Sequence, residues 1–192
     1  MAARVVKTVL WLISGMVFLP GVVHGQEIPP PAYQIAASEA GIPSTVLYAV
    51  ALQESGTPIR GKIRPWPWTL NVAGKSLYFT SRDAACQELT CALKQTSAKR
   101  VDVGLGQINV GYHGERVTTP CDLLDPGTNL SIAATIIKEQ HRDGQDWLIT
   151  MGKYHSPANG EAAQRYRSSA RHHLYRVLGT RAIHAGTLGA SF

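Results

Sequence analysis

A mainly helical α+β domain is the fold class that this 192-residue sequence predicts. Three observations carry the prediction. Six segments between Tyr33 and Leu178 read as helices from apolar spacing and end signals. One stretch, Trp68 to Phe79, is β-rich and interrupted by a turn. Apolar residues make up 44% of the chain, enough for one core of roughly 150 residues and too many for a disordered chain. No internal repeat or sustained heptad occurs, which excludes a solenoid or coiled coil. With three cysteines the chain is no disulfide scaffold, and with one strongly apolar stretch it is no polytopic membrane protein.

That apolar stretch comes first. Arg4 and Lys7 precede an eleven-residue apolar run, Val9 to Leu19, which Pro20 and Gly21 break. The pattern is that of a secretory signal peptide over residues 1–25, cut before Gln26, rather than an uncleaved anchor. It predicts a protein working outside the cytoplasm, in the periplasm. Without Arg4 and Lys7, 17 basic side chains face 13 acidic ones. This diffuse surplus of four lacks the stripe that a nucleic-acid protein concentrates, so no nucleic-acid partner is expected.

The segment QEIPPP is an extended lead-in. A helix over Tyr33–Ala40 stops at Gly41, and Ser44 is the expected N-cap of a second helix, Thr45 to Ser55, ended by Gly56. Val46, Leu47, Ala49, Val50, Ala51 and Leu52 cover nearly every side of that helix, so it belongs in a core. WTLNV and SLYF form a small hairpin around Ala73-Gly74-Lys75. Ser81 caps a helix from Arg82 to Gln95, and Gly104-Leu105-Gly106 makes a tight turn. Further helices follow Asp125-Pro126-Gly127: Leu130–Asp143, Trp147–Tyr154 and Ala162–Leu178. The last carries Arg165, Arg167, Arg171 and Arg176 beside an apolar stripe, and a tail follows from Gly179.

Cys86 and Cys91 share one helix, with Cα atoms roughly 8–9 Å apart, too far for a bridge. A pair involving Cys121 and a set of buried free thiols both remain open. No Cys/His spacing matches a zinc site, and neither a metal nor another cofactor is expected.

Glu54 stands out chemically. It closes the apolar run AVALQESG, where burial and the negative end of the helix dipole both disfavour its ionised form. Such a carboxyl group can donate a proton near neutral pH; the bland alternative is a solvated Glu at a frayed helix end. The GLGQIN turn offers the amides of Gln107 and Asn109, suited to sugar hydroxyl and acetamido groups. Trp66 and Trp68 suit stacking on sugar rings or burial in the core. Tyr154 lies in a polar loop, KYHSPAN.

The series ALQESG, GLGQIN, LLDPGTNLSIAATII and KYHSPAN resembles the soluble lytic transglycosylase (SLT) family of peptidoglycan-cleaving enzymes, over about Ala32 to Leu178. It is most similar to small single-domain members that accompany conjugation, type IV secretion or pilus systems and integrative elements. The resemblance implies a lysozyme-like fold with Glu54 as the single catalytic acid/base. It implies Gln107 in the glycan cleft, Tyr154 holding Glu54 and the N-acetylmuramyl group, and Ser55 in a supporting role. It also implies glycan strands of peptidoglycan, and components of such a machine, as partners. Gly106 stands where the family has Met. Lys99-Arg100-Val101-Asp102-Val103 lacks the Ser that often precedes the turn. His155-Ser156-Pro157 replaces Asn-Ala-Gly after the loop Tyr. Asp102, two residues before the turn, is either a second carboxylate facing the cleft or a solvated turn residue. The rival functions are a muramidase on the same fold and a catalytically weak peptidoglycan-binding scaffold subunit.

Overall fold

The computed structural model describes residues 26–179. The expected signal peptide and the tail from residue 180 onward lie outside the described residues. Seven α-helices and six short strands follow in order: α1 Pro31–Ala40, α2 Ser44–Ser55, β1 Gly56–Ile59, β2 Lys62–Pro65, β3 Thr69–Val72, β4 Lys75–Tyr78, α3 Arg82–Gln95, β5 Val101–Val103, β6 Ile108–Asn109, α4 Val110–His113, α5 Pro126–Gln140, α6 Trp147–His155 and α7 Glu161–Leu178. The class is α+β, mainly helical, as the sequence predicts.

At the centre lies α2. Eight of its twelve residues are buried, on all sides, because its neighbours surround it: α1, α5, α6 and α7 pack on it, and β1 and β2 close its end. Ser44 does not cap this helix. Pro43 takes the N-cap position in extended conformation, and its carbonyl accepts from Val46 N–H at 3.0 Å, which draws Ser44 inside the first turn. The helix ends at Ser55 as expected, but Gly56 is extended rather than left-handed and leads straight into β1. Glycine is needed there for space, since a Cβ would collide with the Leu52 carbonyl.

The sheet structure is larger than the sequence suggests. The expected hairpin exists as β3–β4, turning on Ala73 and Gly74, both at positive φ. A second hairpin, β1–β2, turns the same way on Arg60 and Gly61. Pro58 and Pro65 hid it from a strand reading, because proline counts against a strand unless it sits on an edge. The GLGQ turn is itself a hairpin loop between β5 and β6, and these join the first hairpin in an antiparallel sheet of order β4-β3-β5-β6.

Three contacts tie the parts together. Cys86 of α3 is disulfide-bonded to Cys121, in the 3₁₀ segment Pro120–Leu124, and Cys91 is free and exposed. This selects one of the two arrangements left open by spacing. α5 starts four residues earlier than its apolar pattern, at Pro126, because the Asp125 carboxylate caps it by accepting from Thr128 N–H at 2.8 Å. The lead-in is clamped by Glu27, whose carboxylate pairs with Arg176 of α7 at 2.8 Å and accepts from the Tyr48 hydroxyl of α2 at 3.1 Å.

Candidate active site

The site is built where the end of α2 meets the turn Gly104–Gln107. Ser55 makes the join: its buried hydroxyl lies 2.8 Å from the Leu105 carbonyl and 3.0 Å from the Ala51 carbonyl of its own helix. A side chain fifty residues away thus fixes the turn against the helix that bears Glu54.

The turn has its own keystone. Asn129, the fourth residue of α5, is 1% exposed. Its Oδ1 accepts from Gly106 N–H at 2.8 Å, and its Nδ2 donates to the carbonyls of Val103 at 2.9 Å and Leu123 at 2.8 Å. Buried backbone groups of an irregular loop need partners, and one amide side chain supplies three of them. Gly104, at φ 80°, leaves room for that amide, since a Cβ there would overlap Nδ2. Gly106 is required by packing. A Cβ would stand 2.8 Å from the Ala133 Cβ and 2.9 Å from the Tyr154 hydroxyl, which donates to the Gly106 carbonyl at 2.6 Å.

Glu54 keeps some contact with solvent, yet enough protein surrounds its carboxyl group to push the pKa up from 4.5 to about 7. Desolvation is the main cause. Tyr166 of α7 opposes it as a potential donor, and the charge of Asp102 adds to it to a smaller extent. The Tyr166 hydroxyl is buried and makes no hydrogen bond of ordinary geometry; it is a neighbour of the carboxyl rather than a bonded partner. Burial and the nearby Glu54 carboxyl also push the Tyr154 and Tyr166 phenols well above their usual range, so both stay protonated. The His155 ring stacks on Tyr166, with centroids 4.7 Å apart and planes 11° from parallel.

The structure brings Glu54, Ser55 and Tyr154 to the junction of α2 with the turn, places Asp102, which the sequence left open, half-buried in the adjoining β5, and adds Tyr166, His155 and Asn129. Nothing in the sequence separates Tyr166 from its fellow apolar-stripe residues Ala170 and Leu174. Asn129 is visible only as part of a helix-opening D-P-x-x-N pattern. Two expectations change. The Gln107 amide protons go to the backbone carbonyls of Gly104 at 2.9 Å and Thr69 at 3.2 Å, stabilising a residue at φ 47°. Asn109 donates to Asp102 and to the Lys99 carbonyl, and its Oδ1 caps α4. The donors of both amides are spent on the backbone around the turn and on Asp102. Trp68 packs against the core and meets Trp66 edge to face, while Trp66 donates to the Phe79 carbonyl at 2.7 Å. Asp102 is no solvated turn residue: it lies half-buried in β5. Among the described residues, no group of three His, Cys, Asp or Glu side chains is arranged to hold a metal ion.

What the arrangement can do is deliver one proton. A carboxyl group whose pKa is pushed up to about 7 feels the Tyr166 phenol and the charge of Asp102, at the end of a core helix. Comparison of the chain with protein-family models, with curated proteins and with solved structures finds no match.

Proposed function

We propose that this protein is a peptidoglycan lytic transglycosylase with a lysozyme-like fold. The observation that carries the reading is the Glu54 carboxyl group, held protonated to about pH 7 by burial at the end of the central helix. The motif series around it supports the substrate class.

In this reading, Glu54 donates its proton to the oxygen linking N-acetylmuramic acid to N-acetylglucosamine. The C–O bond breaks, and the oxocarbenium-like centre is stabilised by the acetamido carbonyl of the substrate itself. The Glu54 carboxylate then accepts the proton of the muramyl C6 hydroxyl, whose oxygen closes a 1,6-anhydro ring. The acid is thereby restored and no water is consumed. One carboxyl group suffices for both steps, whereas hydrolysis with inversion or a covalent intermediate uses two. The Tyr154 hydroxyl, anchored on the Gly106 carbonyl, and the buried Tyr166 supply part of the protein that desolvates the carboxyl. The setting proposed for this chemistry is the periplasm, where cleavage would open the wall for a conjugation, type IV secretion or pilus apparatus.

One observation favours a second reading. Asp102 lies near enough to Glu54 for its charge to act on it, and a second carboxylate could activate water. That would make the protein a muramidase.

Purified protein and its Glu54→Gln variant, incubated with isolated peptidoglycan, decide between these by mass spectrometry of the released muropeptides. Products ending in 1,6-anhydromuramic acid, absent with the variant, are expected. Reducing ends instead would establish the muramidase. No release by the unmodified protein, with glycan binding intact, would overturn both in favour of a scaffold.

A further inference from the structure

The outer face of α1 is apolar where a surface helix ordinarily carries charge. Its inner residues, Tyr33, Ala36 and Ala37, are buried in the core that α1 shares with α2 and α5. The outer face shows Ile35, 60% exposed, with Pro31 and Ala32 one turn before it, and Ile28 in the lead-in is 77% exposed. No charged side chain occurs from Ile28 to Ser38. Among the described residues, the other large apolar side chains at the surface are Tyr78 and Tyr112, which put hydroxyls into water, and Ile149, which is only 37% exposed. Ile28 and Ile35 are thus the two bare aliphatics, and they are neighbours. Gln34 Nε2 donates to the Pro29 carbonyl at 2.7 Å, and Ile35 and Ile28 adjoin the two ends of that bond. A lone apolar side chain is ordinary at a surface, but two held together in an uncharged row point to something that covers them.

The end of α7 meets this row. Glu27 N–H donates to the Val177 carbonyl at 3.0 Å, and Arg176 holds the Glu27 carboxylate at 2.8 Å, so the last turn of α7 lies against the residue before Ile28. The segment after Gly179, TRAIHAGTLGASF, starts three residues from that contact. It carries Ile183, Leu188 and Phe192, one arginine and no acid. At roughly 3.3 Å per residue, four residues carry Ile183 about 13 Å from Gly179, and the whole of α1 is about 15 Å long. We propose that residues 180–192 dock on the row from Ile28 to Ile35, covering both isoleucines with Ile183, Leu188 and Phe192. Attachment at the edge of the row makes the contact intramolecular, so a small apolar area suffices. A stable dimer buries about 800 Å² per partner, several times what two isoleucines offer, so a second copy is the poorer occupant. The inference is independent of the reading of Glu54.

The test is methyl NMR on the full chain, labelled at the isoleucine and leucine methyls, with the signals assigned by Ile28→Val, Ile35→Val, Ile183→Val and Leu188→Val. Nuclear Overhauser contacts are expected between the methyls of Ile28 or Ile35 and those of Ile183 or Leu188, unchanged on dilution. The double variant Ile28→Glu with Ile35→Glu alters exposed positions only, so the buried Leu47 and Leu52 methyls should keep their shifts. In that variant the contacts should be lost, and the Ile183 and Leu188 signals should move. Absence of the contacts in the unmodified protein, or their survival in the double variant, overturns the proposal. Contacts that vanish on dilution would overturn it in favour of a second copy, and contacts to Leu10, Leu12 or Leu19 instead would assign the row to the N-terminal apolar run. Broadening of Ile28 and Ile35 by phosphatidylglycerol vesicles, without contacts to residues 180–192, would assign it to a membrane and overturn the proposal as well.

Discussion

Glu54 pays for its environment in stability, and the sign can be worked out. Its folded pKa of about 7 lies above the ordinary value of 4.5. Between those two values the folded protein holds a proton that the unfolded chain has lost, so stability falls as pH rises across this interval and is level above it. Glu54→Gln removes the titration. The variant is expected to unfold at nearly the same temperature as the unmodified protein near pH 4.5, and to be more stable above pH 7, by about 2–3 kcal/mol. Thermal melts across pH check this, and equal stability at both ends would mean that the carboxyl is not desolvated. In the proposed reaction Glu54 acts as the protonated acid, so that reading predicts a cleavage rate that falls through an alkaline limb near pH 7, where an exposed glutamate would already have failed. The position of Glu54 was legible from sequence because an all-round apolar helix and its last polar residue are local patterns. Tyr166 was not: a tyrosine at core spacing looks the same whether its hydroxyl meets water or a buried carboxyl.

Turn and helix depend on each other through Asn129. Replacing it by Ala would strand the Gly106 N–H and the carbonyls of Val103 and Leu123, all in buried residues. Asn129→Ala is expected to cost about 3 kcal/mol or more in chemical denaturation, and to lower cleavage beyond what the lost stability explains, since Tyr154 anchors on the same turn. Full activity in the folded variant would show that the turn does not shape the site. The same element explains Gly106, where the resembling family has Met. A methionine has no room between Ala133 and the Tyr154 hydroxyl, so the glycine is the residue that lets the phenol reach the backbone. Gly106→Met should therefore destabilise the protein, by about 1–3 kcal/mol, and displace Tyr154. A crystal structure of the variant with Tyr154 still bonded to residue 106 would contradict this. The sequence pattern D-P-x-x-N announced a helix start, but which backbone groups its Asn would serve depends on Leu123 and Val103 arriving from elsewhere.

Across the whole molecule, the Cys86–Cys121 disulfide closes a loop of 35 residues that contains β5, β6 and the turn between them. Loop-closure entropy assigns such a bond about 3–4 kcal/mol. Reduction, or the double substitution Cys86→Ala with Cys121→Ala, should lower the denaturation midpoint accordingly. Cys91→Ala should not, because Cys91 is exposed and free. A midpoint unaffected by reductant would mean that the loop is already ordered in the unfolded chain. Cys121 lies two residues before Leu123, whose carbonyl holds Asn129, so the covalent link also steadies the frame on which the turn rests.

The sequence by itself determined the fold class, the course of the main helices, the burial of α2 and Glu54 as the carboxyl candidate at that helix's end. Those follow from periodicity, turn residues and the cost of burying a charge, all of which act over a few residues. Only the tertiary structure decided which cysteines pair, that Asp102 is half-buried in β5 and bonded by Asn109, that Tyr166 and His155 join the site, and that Gln107 and Asn109 spend their donors on groups of the protein itself. Each of these depends on groups far apart in the chain meeting in space. Residue type states what a side chain can bond, and the packing of distant elements selects which bond it makes.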